Sequence, residues 1–412
     1  MKEAVVVLAV IVALVAYVAW LFSKPGEVKP LVPQEDDILL REGVQEGTVD
    51  GNSIETFTGF TQMAERLEQD IASARQYIHL QFFKYEDDPT GRKIAGMLAQ
   101  KVSQGVEVRL LYDAAVNGTR RPLFRDMRAM GVHTKAFSPL YPPALKKSDN
   151  YRNHRKIVVI DGKIAYLGGM NIADRYDKGL DWGIWRDTQI RIAGPVAAQC
   201  QLAFARDWAY KGGEILPGAK YCPPAPSAGS TEVETVCSGP VGDGPTIMNR
   251  ICAILDAAHT YAWLETPYLI PTREVQDSLA NAVSRGVDVR IIIPPRGDRG
   301  IINPIISRSY IEPLLESGVK IALYRNGFMH SKTMVADDEW VTVGSTNMDP
   351  RSYILDFEIN AFVRDEAYAL QMKDIFLADE AHSKYLNKKL WARRSIFCKA
   401  AEAFTKLFSA QF

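Results

Sequence analysis

His154-Arg-Lys156-Ile-Val-Val-Ile-Asp161 returns as His330-Ser-Lys332-Thr-Met-Val-Ala-Asp337, 176 positions further along the chain. Gly168-Gly-Met-Asn171 returns as Gly344-Ser-Thr-Asn347 at the same offset. Upstream of each copy, an apolar stretch leads into a helical pattern and then a second apolar stretch. These are Tyr77-Ile-His-Leu-Gln-Phe-Phe, KIAGMLAQKVSQ and Gly105-Val-Glu-Val-Arg-Leu-Leu-Tyr in one copy. In the other they are Tyr261-Ala-Trp-Leu-Glu, VQDSLANAVSR and Gly286-Val-Asp-Val-Arg-Ile-Ile-Ile. Apolar runs alternating with amphipathic helices predict parallel strands covered by helices. The chain therefore reads as a duplicated α/β protein, its two α/β/α halves packed around a pseudo-two-fold axis.

The expected boundaries follow. Residues 52–215 form the first repeat and 240–390 the second. A Pro/Ser/Gly-rich seam at 222–231 lies within an inter-repeat linker, 216–239. Residues 31–51, rich in proline and acid, link this body to an N-terminal flank, 1–30. There, residues 4–22 carry no charge, and a helix of that length spans roughly 28 Å, close to the hydrocarbon thickness of a bilayer. A single-pass membrane anchor is expected, with a cleaved signal peptide as the rival. Lys2 on one side and Lys24 and Lys29 on the other slightly favour a cytoplasmic body. At the other end, 391–412 reads as a basic amphipathic helix. Trp391, Ile396 or Phe397, Phe404 and Leu407 or Phe408 fall along one face, with Arg393, Arg394, Lys399 and Lys406 nearer the other. Such a helix either packs on the second repeat or lies in a lipid interface.

Composition removes several function classes. The 412 residues are 47% hydrophobic and 24% charged, which excludes disordered and fibrous readings. Forty-nine Lys and Arg balance 49 Asp and Glu, so nothing in the net charge favours a nucleic-acid partner. Cys200, Cys222, Cys237, Cys252 and Cys398 form no CxxC pair and no metal-ligand spacing, and read as small apolar residues. No metal or cofactor is expected.

Residues two apart on a strand share a face, so His154 projects with Lys156 and His330 with Lys332. Equivalent motifs meeting across the axis would bring two imidazoles, two ammonium groups and the amides of Asn171 and Asn347 into one cleft. Cations and amide donors suit a tetrahedral phosphate. One imidazole can attack phosphorus while the other protonates the departing oxygen. Each histidine needs a carboxylate on its other ring nitrogen. Asp187 and Glu358, 33 and 28 residues after the histidine of their own half, are the candidates. Asp161 and Asp337 complete the motif at strand-end turns, where an aspartate also serves the backbone. A single histidine in an apolar strand is ordinarily a core or surface residue, and His79 and His133 are read so.

The double motif resembles that of the phospholipase D superfamily. Asn150-Tyr-Arg-Asn-His-Arg-Lys, Trp185-Arg-Asp-Thr, Phe204-Ala-Arg-Asp-Trp208, Thr266-Pro-Tyr-Leu-Ile-Pro271 and Gly327-Phe-Met-His-Ser-Lys resemble its bacterial cardiolipin synthase branch. The resemblance implies metal-free, two-step phosphatidyl transfer between two phosphatidylglycerol molecules. His154 would be the nucleophile, His330 the acid and then the base, with the reverse assignment open. Lys156, Lys332, Asn171 and Asn347 would hold the phosphate. A phospholipase D-type hydrolase passes through the same intermediate and is the alternative, ahead of a nuclease or a degenerate scaffold. Such synthases often carry two N-terminal membrane segments where this chain has one, so their topology does not transfer. The long connection 114–151, with its Pro139-Leu-Tyr-Pro-Pro, is expected to border the substrate entrance.

Overall fold

A computed structural model describes residues 29–118, 121–137, 147–297 and 302–406. Apart from the separate pair Ile184–Arg186 and Gly327–Met329, its strands form one continuous sheet whose order is nearly a palindrome. From one edge inward run His133–Phe137, Glu107–Asp113, Tyr77–Phe82, Ile157–Ile160, Ile164–Gly168, Gln189–Ala193 and Val49–Phe57. The second half repeats this outward as Thr231–Ser238, Asp356–Arg364, Trp340–Gly344, Thr333–Ala336, Tyr261–Glu265, Asp288–Ile293 and Lys320–Tyr324, with Ser383–Tyr385 added at the far edge. The halves join where Val49–Phe57 pairs antiparallel with Thr231–Ser238. Tyr77–Phe82 runs parallel to Glu107–Asp113, as Tyr261–Glu265 does to Asp288–Ile293, matching the expected strand–helix–strand units.

The strand Ile157–Ile160 explains why the motif sits in the sheet centre. Ile157 and Val159 enter the core shared by both halves, with Phe204 and Trp208 of the helix Ala197–Tyr210. Val158 and Ile160 enter the opposite core, with Phe60 and Leu67 of the helix Phe60–Ser73 and Leu98 of the helix Pro89–Ser103. A strand apolar on both faces is stable only between two layers, so its polar residues can emerge only at its end. His154 and Lys156 lie at that end.

Several segments expected as linkers or connections hold regular structure, and the expected terminal helix 391–412 is two helices, Lys388–Ala392 and Ile396–Lys406. Thr231–Ser238, placed in the inter-repeat linker, is a central strand because its residues bridge the two halves. The 31–51 linker contains the helix Gln34–Arg41 and the start of Val49–Phe57. The connection 114–151 is not a plain loop. It holds the helix Pro122–Ala129, whose Leu123, Phe124 and Met127 are buried, and the edge strand His133–Phe137. Among the described residues, no helix is long and apolar enough to cross a membrane. The run at 4–22, Pro139 to Pro143, and Leu407 and Phe408 all lie outside the described residues.

Candidate active site

The two motifs converge through short strand pairings between the halves. Ile184–Arg186 runs parallel to Gly327–Met329, and Arg152–Asn153 runs parallel to the start of Asp356–Arg364. These pairings place the backbone N–H of His330 on the Arg186 carbonyl (2.7 Å) and that of His154 on the Phe357 carbonyl (2.9 Å). Gly327 has a φ of 146°, and a Cβ there would meet Ile184 backbone atoms, so the close approach requires glycine.

Each histidine takes its carboxylate from the other half. His154 Nδ1 lies 2.9 Å from Glu358 Oε1, and His330 Nδ1 lies 2.6 Å from Asp187 Oδ2. This corrects the expected pairing of each carboxylate with the histidine of its own half. The positions are equivalent by register: Gly168 faces Gln189 and Gly344 faces Asn360, with Asp187 and Glu358 two residues before. The exchange is thus what a two-fold relation produces. Lys332 Nζ also lies 3.0 Å from His330 Nδ1. One ring nitrogen cannot donate and accept at once, and the shorter carboxylate contact decides the tautomer. Both imidazoles therefore carry Nδ1–H and leave Nε2 as the acceptor.

Lys156 and Lys332 are buried, each donating to the carbonyl of its own motif histidine. Phe83 meets the edge of His154 at 4.8 Å, and Trp185 packs on His330 at 4.9 Å. In this apolar setting burial drives the protons off the basic groups. His154 is held well below the ordinary histidine range by burial and then by Lys156 and Lys332. Burial and Lys332 bring His330 down to about 4, against the pull of Asp187. Burial lowers Lys156 to about 7, with Glu358 opposing. The carboxylates diverge. Burial raises Glu358 to about 7, whereas Asp187, equally buried, is held below its usual value by His330 and Lys332.

The asparagines also diverge. Asn171 accepts the Lys84 N–H at 2.8 Å and donates to the Tyr176 hydroxyl. Asn347 Oδ1 is buried with no hydrogen-bond partner among the described residues. Asp161 and Asp337, the carboxylates that complete the motif, lie at strand-end turns and bind backbone N–H groups, not the histidines. Asp161, at φ 51°, accepts the N–H groups of Arg75, Gln76 and Tyr77 at 2.8–2.9 Å. Asp337, at φ 55°, does the same for His259, Thr260 and Tyr261. Each organises the turn entering a central strand. His79 is a core residue, bonded to Gln201 and stacked on Phe204, and His133 is exposed on an edge strand. Cys200 and Cys222 are buried as expected, whereas Cys398 is exposed, because its helix turns that side outward.

Sequence reasoning missed the frame behind the motifs. Arg155 is buried against Asp207 at 2.9 Å and reaches the Glu358 carbonyl at 3.0 Å. Arg186 pairs with Asp379 at 2.6 Å and bonds Ser331 at 2.9 Å. Four of these residues, Arg186, Asp207, Arg155 and Ser331, occur in Trp185-Arg-Asp-Thr, Phe204-Ala-Arg-Asp-Trp208 and the two His-x-Lys motifs, so the signal was present without its meaning. Among the described residues no group of His, Cys, Asp and Glu is arranged to hold a metal.

The family model described as "Cardiolipin synthase, PLD-like domain" matches residues 67–208 and 251–380. The chain belongs to this phospholipase D-like family. It is 39% identical over 362 residues to a cardiolipin synthase of Staphylococcus aureus, covering 87% of this chain and 73% of that protein. It is 34% identical over 386 residues to a cardiolipin synthase of Listeria monocytogenes, covering 92% and 80%. Among solved structures, phosphatidylserine synthase of Haemophilus influenzae superposes with a TM-score of 0.65 at 15% identity, covering 90% of this chain and 96% of that one. That likeness is one of fold.

Proposed function

We propose that this chain is a cardiolipin synthase, transferring a phosphatidyl group between two phosphatidylglycerol molecules with release of glycerol. The observation that carries the reading is the pair of crossed histidine–carboxylate contacts flanked by Lys156 and Lys332. His154 Nε2 attacks phosphorus, and the bond from phosphorus to the glycerol oxygen breaks. His330 Nε2 gives its proton to that oxygen, and glycerol departs. The terminal hydroxyl of a second phosphatidylglycerol then gives its proton to His330 and attacks phosphorus, and the phosphorus–nitrogen bond breaks. In the empty site both imidazoles are neutral. A bound phosphodiester anion offsets the two ammonium groups and restores the proton His330 needs. Lys156, Lys332 and Asn347 hold the phosphoryl oxygens. Asn171 positions the adjoining turn.

The assignment of acid and nucleophile follows from the carboxylates. Both rings become cationic, His154 on bonding phosphorus and His330 on taking a proton, and the ionised Asp187 raises the proton affinity of His330 and so favours it as the proton carrier. Residues 4–22 would anchor the body to the cell membrane, with the positive-inside pattern favouring the cytoplasmic face. Product analysis on phosphatidylglycerol vesicles tests the reading. Cardiolipin and glycerol are expected, both lost in His154→Ala. Phosphatidic acid as the sole lipid product would replace the synthase with a hydrolase.

A further inference from the structure

The helix Ile396–Lys406 is seated with its polar side inward. Glu402 is 5% exposed and pairs with Arg394 at 2.9 Å. Arg394 and Lys399 in turn reach Glu312 of the helix Ile302–Glu316, on which the terminal helix packs. The opposite side carries Ile396, Phe397, Ala400 and Ala401, which project into a continuous arc at helical spacing. Ile396 is 77% exposed and Phe397 82%, and Leu390 of the preceding helix Lys388–Ala392 is 68% exposed. A surface helix ordinarily buries the apolar side, so the reversed seating calls for a partner on the outside.

Charge selects that partner. Residues 383–406 hold seven Lys and Arg against the single carboxylate Glu402, which is buried. Lys384, Lys388, Lys389 and Arg393 are exposed on the segment that leads into the terminal helix. A second copy packed face to face would bring two such basic rims together, whereas an anionic surface neutralises one. The same helix, Ile302–Glu316, presents Ser307 and Ile311 to an apolar cavity of about 500 Å³, which Trp391 and Leu269 also line. Leu269 bridges to Met348, the neighbour of Asn347.

We propose that the apolar arc and basic rim of residues 388–404 dock onto the surface of an anionic lipid bilayer, with the arc entering the acyl region and the rim at the headgroups. The choice of a bilayer rests on the phospholipid substrate proposed above; the inverted seating does not. The test uses the full chain reconstituted in mixed phosphatidylcholine–phosphatidylglycerol vesicles. A polarity-sensitive dye is attached at Phe397→Cys in a Cys398→Ser background. A blue-shifted emission quenched by nitroxide on the lipid acyl chains is expected. Dye emission unaffected by nitroxide, or energy transfer between copies that rises with protein concentration, would overturn the proposal in favour of a protein partner. A second variant, Ile396→Ser with Phe397→Ser, should lose about 100-fold in turnover on vesicles, the loss set by two apolar side chains no longer inserted. Its turnover of a water-soluble short-chain phosphatidylglycerol should be unchanged; an equal loss on both substrates would count against docking. The dye signal needs no turnover. Quenching without cardiolipin formation would leave docking standing and remove the function, and cardiolipin formation without quenching would do the reverse.

Discussion

Replacing Asp187 by Asn and Glu358 by Gln separates the two halves of the reaction, because each carboxylate serves the histidine of the opposite repeat. Both substitutions keep an acceptor for Nδ1–H and remove charge. A charge about 4 Å from an imidazolium is worth about 4 kcal/mol at an effective dielectric near 20. Asp187 is held ionised, so Asp187→Asn forfeits most of that, about 2–4 kcal/mol or roughly 30- to 1000-fold in kcat. Glu358 sits at about 7 and carries about half its charge at neutral pH. Glu358→Gln should therefore lose only about 1–2 kcal/mol, roughly 5- to 30-fold, with the deficit growing as pH rises. The assay compares natural phosphatidylglycerol with a phosphatidyl ester of p-nitrophenol, whose leaving group needs no proton. Asp187→Asn should recover in the first-turnover release of p-nitrophenol, where its partner His330 is no longer needed as acid, though not in the second step, where His330 is the base. Glu358→Gln should not. Mass spectrometry of the acid-quenched intermediate, read on the peptide carrying His154, fixes the nucleophile independently. With phosphorus on His154, recovery of Glu358→Gln and none of Asp187→Asn would refute the crossed pairing.

Lys156, at about 7, must keep its proton to hold phosphate, so kcat/KM should fall as pH rises through about 7. The kcat limb should lie further into alkali, because the bound phosphodiester favours the ammonium. Lys156→Arg should remove the kcat/KM limb from that range, and an unmoved limb would assign it elsewhere. His154, depressed by burial, remains neutral at pH 6, so an acid loss between pH 7 and 6 is expected from protonation of Glu358 alone and should be absent in Glu358→Gln. Asp161→Ala should destabilise the fold by about 2–4 kcal/mol in denaturant titration, through three charge-assisted acceptors lost, with kcat of the folded fraction retained. Arg155→Ala leaves Asp207 buried without its partner and should cost about 3–5 kcal/mol of stability. Adding Asp207→Asn should restore part of it, read from the same titration.

The repeat at a 176-residue offset carried most of the architecture, because equal spacing of two strand-and-loop signatures leaves few ways to arrange two halves other than about an axis. The residue types of the site were legible for the same reason. Partner choice was not. His154 and Asp187 belong to one repeat, and spacing along a chain cannot say which side of an axis a strand end crosses to. That was decided by the pairing of Ile184–Arg186 with Gly327–Met329, segments too short to show a period. The terminal helix was limited in another way. Its wheel has an apolar and a basic side whether it packs inward or outward, and only the Arg394–Glu402 and Arg394–Glu312 contacts reveal which side faces the body.

A duplicated site with perfect symmetry would give two equivalent imidazoles and no division of labour between attack and proton transfer. The departures from symmetry supply that division. At equivalent positions the chain has Asp187, held ionised, and Glu358, raised to about 7. The motif asparagines differ likewise, Asn171 being spent on the Lys84 backbone and Tyr176 while Asn347 keeps a buried oxygen unpartnered among the described residues. Both differences act on the second half's motif. His330 has the ionised partner that favours a proton carrier, and in the same repeat the Asn347 amide oxygen is open to a donor such as a substrate hydroxyl. The fold supplies two copies of one machine, and a handful of unequal residues assign each copy its step.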